Sequence, residues 1–93
     1  MKLETQKIVI SNDALSQEVN GETVILDLQS ESYFGLDEVG TRVWQLLQEE
    51  GDVQKTIDQM LKEFDVKPER LTADVNELLR KLIDNGLVVI DEK

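Results

Sequence analysis

The residues best placed to do chemistry in this chain are its glycines, through their backbone, and its carboxylates. Gly35 and Gly40, in Gly35-Leu36-Asp37-Glu38-Val39-Gly40-Thr41, have the separation found in a phosphate-cradling loop. Such a loop ends in Gly-Lys-Ser/Thr, because its lysine neutralises the phosphates that the backbone N–H groups hold. Here the lysine is missing, and Asp37 and Glu38 stand where phosphates would sit. The glycines therefore read as structural, Gly35 ending a strand and Gly40 permitting close helix packing. Glu49-Glu50-Gly51-Asp52 gathers carboxylates that could bind Ca²⁺ or act as an acid/base pair. Calcium loops place oxygen ligands at alternating positions and end in a Glu, and no such run occurs, so this segment reads as a solvated helix junction. Asp27 interrupts an apolar strand and reads as a solvent-facing alternate position. The chain has no cysteine and no histidine, which removes thiolate nucleophiles, imidazole acid/base chemistry, disulfides and the usual zinc sites. No cofactor and no metal is expected, and no enzyme activity.

What remains is chemistry of the main chain. Ser32-Tyr33-Phe34-Gly35-Leu36 reads as a strand with Phe34 and Leu36 on one side and Tyr33 on the other. It holds no proline, no lysine and no internal charge. If it lies at the edge of a sheet, its free N–H and C=O groups can template another chain.

The elements around this segment follow from periodicity and turn residues. Lys7–Ile10 and Thr23–Leu28 are short β-branched runs, and Asn20-Gly21 is the signal of a tight hairpin that folds a strand near Ser16–Val19 onto Thr23–Leu28. Ser32–Leu36 is then the third strand of a three-stranded antiparallel meander, at its edge. Three helices follow. Asp37 is a candidate N-cap for a helix carrying Val39, Val43, Leu46 and Leu47, closed at Gly51. A second helix opens at Asp52 with the stripe Val53, Ile57, Met60, Leu61 and Phe64. Pro68 starts a third, which ends at Asn85-Gly86 with Leu87 folding back as in a Schellman stop. Leu87–Ile90 is either a fourth strand or an extended tail. The expected class is α+β, a three-stranded antiparallel sheet followed by three helices, similar to a winged helix-turn-helix.

On the third helix Leu71, Val75, Leu78 and Leu82 make a core stripe, and Leu79 and Ile83 widen it toward the side that carries Thr72 and Asn76. If that flank faces the open strand, the two make a groove with backbone bonds on one wall and apolar side chains on the other. Equally, Leu79 and Ile83 can simply complete the core. The opposite flank, with Arg70, Asp74 and Lys81, would make a more polar groove.

Ninety-three residues fit one domain, 1–93, since single cores commonly occupy about 100–150 residues. A net charge of −10, acidic in every third of the chain, opposes a phosphate backbone. The candidate recognition helix Glu69–Asn85 offers Arg70, Arg80 and Lys81 against Glu69, Asp74, Glu77 and Asp84, whereas a reader of DNA lines that helix with Arg, Lys, Asn or Gln. Neither a spanning segment nor a signal-like apolar block is visible, so the expectation is a cytoplasmic protein binding no nucleic acid and no membrane.

The series Val24-Ile25-Leu26-Asp27-Leu28, Tyr33-Phe34-Gly35-Leu36-Asp37-Glu38-Val39-Gly40, Val43-Trp44-Gln45-Leu46-Leu47, Asp74-Val75 with Leu78-Leu79, and Leu82 through Gly86-Leu87 resembles the PqqD-like proteins. These are precursor-peptide recognition elements of ribosomally made, post-translationally modified peptides. The likeness covers about residues 8–90 and is closer to the free-standing lasso-peptide type than to the pyrroloquinoline quinone member. It implies a leader peptide that adds as a strand beside the third strand and packs on the third helix. The implied site combines main-chain groups of Ser32, Tyr33, Phe34 and Gly35 with a helical wall of Thr72, Val75, Asn76, Leu79 and Ile83. The implied partners are the leader region of a precursor peptide and a maturation enzyme, either a leader peptidase, a cyclase or a radical enzyme. The competing function is a winged helix-turn-helix regulator that binds DNA. Met1–Gln6 and Asp91–Lys93 lie outside the resemblance.

Overall fold

A computed structural model describes residues 3–91, so Met1, Lys2, Glu92 and Lys93, at the ends of the two tails, lie outside the described residues. A short 3-10 turn, Leu3–Thr5, leads into strands β1 (Ile8–Ile10), β2 (Ala14–Val19), β3 (Glu22–Asp27) and β4 (Ser32–Leu36). Helices α1 (Glu38–Glu49), α2 (Val53–Glu63) and α3 (Pro68–Asp84) follow, and β5 (Val88–Ile90) ends the described chain.

β2, β3 and β4 form the expected antiparallel meander in that order. The Asn20-Gly21 hairpin joins Val19 to its partner Glu22, with φ of 55° and 83° at the two turn residues. Two successive positive φ angles give the loop the twist of the flanking strands, which is why Asn-Gly occupies it. β1 is not part of this sheet. It pairs antiparallel with β5, Ile8 opposite Ile90 and Ile10 opposite Val88, so Leu87–Ile90 is a strand and not a loose tail.

The helix boundaries fall where the capping residues place them. The Asp37 carboxylate accepts from the Gly40 N–H at 2.8 Å, and Asp52 accepts from the Lys55 N–H at 3.0 Å. Each satisfies a first-turn donor that the helix cannot. At the end of α3 the Leu87 N–H reaches the Leu82 carbonyl at 2.9 Å and the Gly86 N–H reaches that of Ile83 at 3.0 Å, the two bonds of a Schellman stop. Leu82 and Leu87 are both buried, which supplies its hydrophobic contact. Gly51, at φ 72°, lies against the backbone of β1: its carbonyl accepts from the Ile8 N–H at 2.7 Å, and a Cβ there would collide with the Ile8 carbonyl oxygen.

One hydrophobic cluster joins these pieces, with Trp44, Ile25, Met60, Leu79 and Leu82 among its fully buried side chains. Leu3 is buried too, so the N-terminal segment outside the family resemblance contributes to the core. The sheet turns inward the face of β3 that carries Asp27, a position that alternation alone places toward solvent. Ile25 and Thr23 are buried against the helices, while Val24 and Leu28 are about half exposed. Cross-strand pairing explains the choice, because Ile25 stands opposite Phe34 and Thr23 opposite Leu36, and those are the β4 residues turned inward. Asp27 therefore lies on the inward-facing parity at the strand end. Its carboxylate holds the β3–β4 turn, accepting from the Gln29 N–H at 3.1 Å and the Ser30 hydroxyl at 2.9 Å.

Candidate functional site

β4 has β3 on one side and no strand on the other among the described residues. Beside it a groove of about 510 Å³ runs between β4, the start of α1 and one flank of α3. Leu36, Val43, Leu71 and Val75 form its buried apolar floor, with Phe34, Val39 and Leu78 along its sides. Val39 is 42% exposed, which a helix residue on the apolar stripe explains only if it borders such an opening. Gly40 lets α1 begin close to β4, since a Cβ would stand 3.3 Å from both the Leu36 side chain and the Asp37 carboxylate.

Gly35 differs from Gly40. It does not end the strand; it sits inside β4 opposite Val24, without a positive φ, and a Cβ there would meet nothing within 4 Å. The fold makes no demand for glycine at this position. Glycine inside a strand weakens it and often marks the close approach of a ligand or another backbone.

Of the residues expected at the site, Ser32, Tyr33, Phe34 and Gly35 share the free strand, and Phe34, Gly35 and Val75 line the groove. Thr72, Asn76 and Ile83 occupy the other flank of α3 and are not part of the lining. Leu79 is fully buried in the core. The flank that faces β4 is the more polar one, carrying Asp74, Leu78 and Lys81. Adjacent leucines at 78 and 79 leave the periodicity unable to choose between the two flanks, and packing takes Leu79. Leu71, Asp74, Leu78 and Lys81 do fall on a single helical stripe, which is the signal for the observed wall.

The charges at this rim are already partnered. Arg70 lies 3.8 Å from Asp74 and Lys81 lies 3.6 Å from Glu77, both exposed i,i+4 pairs that contribute little to stability. They also neutralise two of the three cations that a DNA-reading α3 would offer.

A second cleft of about 430 Å³ lies between α1 and α2, and its lining is mostly charged. At its edge Arg42 clamps the two helices together, donating to both Glu63 carboxylate oxygens at 2.8 and 2.7 Å. Those bonds, helped by the Gln59 amide, lower the Glu63 carboxyl to a pKa of about 2. The clamp joins one helix to the next. Among the described residues no set of three or more Asp or Glu is arranged to hold a metal ion, and no helix is long and apolar enough to cross a membrane.

Two solved structures share this architecture. TbiB1, solved in complex with the TbiA(beta) leader peptide, superposes with a TM-score of 0.84 at 33% identity, over 90% of this chain and 98% of that one. Lasso peptide synthetase B1, complexed with the leader peptide, superposes with a TM-score of 0.74 over 89% and 98% of the two chains; at 17% identity that likeness is one of fold. No curated protein matches the chain. The family model described as coenzyme PQQ synthesis protein D (PqqD) matches residues 22–88, from the first residue of β3 to the first of β5. That span contains the free strand, the glycine within it and every residue lining the groove beside it, and the chain belongs to the PqqD family.

Proposed function

We propose that this protein is a non-enzymatic adaptor that captures the leader region of a ribosomal precursor peptide and presents the attached core to a maturation enzyme. The observation that carries this reading is the unpartnered edge of β4 running beside an apolar groove. The leader adds as a strand along Ser32, Tyr33, Phe34 and Gly35, where every second residue turns its N–H and C=O to the free edge, and these main-chain hydrogen bonds give affinity whatever the sequence. Side chains of the leader that point inward enter the groove between Leu36, Val43, Val75 and Leu78, which gives selectivity. The chemistry belongs to the partner enzyme, a leader peptidase, cyclase or radical enzyme, and the precursor's ribosomal origin places the encounter in the cytoplasm. The two leader complexes formed by the structural relatives point to the same class of ligand.

Calorimetric titration with the leader of the neighbouring precursor gene tests this. Binding in the nanomolar to micromolar range is expected, about −8 to −12 kcal/mol. Tyr33→Pro removes a main-chain donor from β4 and is expected to weaken leader binding, with folding checked by circular dichroism. Absence of heat at high micromolar protein, or a folded Tyr33→Pro variant that binds like the native chain, refutes strand addition here.

A further inference from the structure

The three-stranded sheet has a second edge. β2 pairs with β3 on one side and with no strand on the other among the described residues. Val19 and Glu22 close a two-residue hairpin and so exchange main-chain bonds, and at the far end of the ladder the Leu28 N–H reaches the Asp13 carbonyl at 2.9 Å. Alternation from these two points turns the N–H and C=O groups of Ser16 and Glu18 outward, away from β3. β2 is six residues long against five for β4, and it holds no proline, lysine or arginine. By its main chain alone it would take a strand as readily as β4.

The side chains on the inner face set the two edges apart. On β4 that face carries Phe34 and Leu36 beside the apolar groove, and the strand has no charged residue. On β2 it carries Ser16 and Glu18, since their partners Ile25 and Thr23 are the buried residues of β3. The Glu18 carboxylate is fixed in place: the Gln45 amide of α1 donates to both of its oxygens, at 3.0 and 3.2 Å. Gln45 in turn accepts from Arg42 at 3.1 Å, and Arg42 is anchored on Glu63 of α2. The tether thus runs from α2 through α1 to β2. Because the Arg42 guanidinium is taken up by Glu63, Glu18 keeps a neutral partner and an uncompensated charge. A strand laid beside β2 would close over this carboxylate and take it out of water, which is costly for a charge with no opposite charge beside it. An inward-pointing charge is one of the means by which edge strands are kept from pairing.

We infer that Glu18 decides which edge of the sheet is extended: its tethered carboxylate closes β2 to an incoming strand and leaves the peptide to β4. As a statement about the leader the inference rests on the adaptor reading above, whereas the closure of β2 does not. Without the charge, β2 has a self-complementary register with a second copy, antiparallel about Ser16, in which Ala14 of one chain stands opposite position 18 of the other and Leu15 opposite Gln17. The β4 edges remain free at the two ends of such a sheet.

The test uses the full chain. Glu18→Val removes the charge and suits a strand, and Glu18→Gln removes the charge alone while keeping the length of the side chain. In sedimentation velocity at physiological salt, where charges more than about 8 Å apart are screened, both are expected to self-associate at least about tenfold more tightly than the native chain. Adding Ser16→Pro takes a donor from the free edge but none from the β2–β3 ladder, and is expected to return them to monomers. Circular dichroism checks each variant for folding. The inference is overturned if the folded variants sediment like the native chain and still take one leader each, or if their association survives Ser16→Pro. Calorimetric titration with the leader separates the two readings. A native chain that binds no leader, beside variants that associate through β2, refutes the adaptor function and retains the closed edge. A native chain that binds one leader, beside variants that behave like it, does the reverse.

Discussion

Leu78 and Leu79 are neighbours in sequence with opposite fates, and truncating each in turn tests the placement of the groove. Leu79 has no exposed surface and belongs to the core beneath α3. Cutting it to alanine removes the transfer energy of its side chain and leaves a cavity, costing about 2–5 kcal/mol. A small domain has only about 5–15 kcal/mol of stability, so Leu79→Ala sacrifices a large share of it. Leu78 is partly exposed and lines the groove beside β4. Its remaining surface is buried only when a ligand arrives, so Leu78→Ala costs little in folding and about 1–2 kcal/mol in binding, roughly a 5- to 30-fold loss of leader affinity. Urea denaturation reads the first effect and calorimetry at saturating folded protein reads the second. If Leu78→Ala left leader affinity unchanged, or if folded Leu79→Ala lost affinity at unaltered stability, the observed groove would not be the peptide seat.

Gly51→Ala combines a positive φ with a collision against the Ile8 carbonyl oxygen, and β1 must move to relieve it. A loss of at least about 2 kcal/mol is expected in urea denaturation, and a variant as stable as the native chain refutes the packing of β1 on the α1–α2 junction. The Arg42–Glu63 clamp makes stability depend on pH in a defined window. Arg42 first and Gln59 second hold the Glu63 carboxyl from its ordinary 4.5 down to about 2, so its contribution is complete above about pH 4.5 and is lost as pH falls toward about 2. Glu63→Gln should remove that part of the acid dependence, and parallel stability curves for native and variant protein across this window would refute the clamp.

Much of the architecture is legible from individual residues. Asn20-Gly21 specifies a hairpin, Asp37 and Asp52 open helices with their own carboxylates, and Gly86 with Leu87 closes one, because each of these signals acts within a few residues of backbone. The edge position of Ser32–Leu36 follows from the same local logic, since consecutive hairpins leave the last strand outside. The pairing of β1 with β5 does not, because it joins segments about eighty residues apart and neither contains a turn signal for the other.

Sequence alone determined the elements, their order and the open strand, since capping, turn chemistry and alternation are short-range and each residue type satisfies them by itself. Tertiary structure decided which faces are used. Val24-Ile25-Leu26 is apolar on both sides of the strand, and Leu78-Leu79 is apolar on both flanks of the helix, so periodicity weighs the alternatives equally. Burial of Ile25 against α1 and of Leu79 in the core broke both ties. By the same step Val24 was left on the outer sheet face and Leu78 on the groove, because a small domain can enclose only one side of each element in its core.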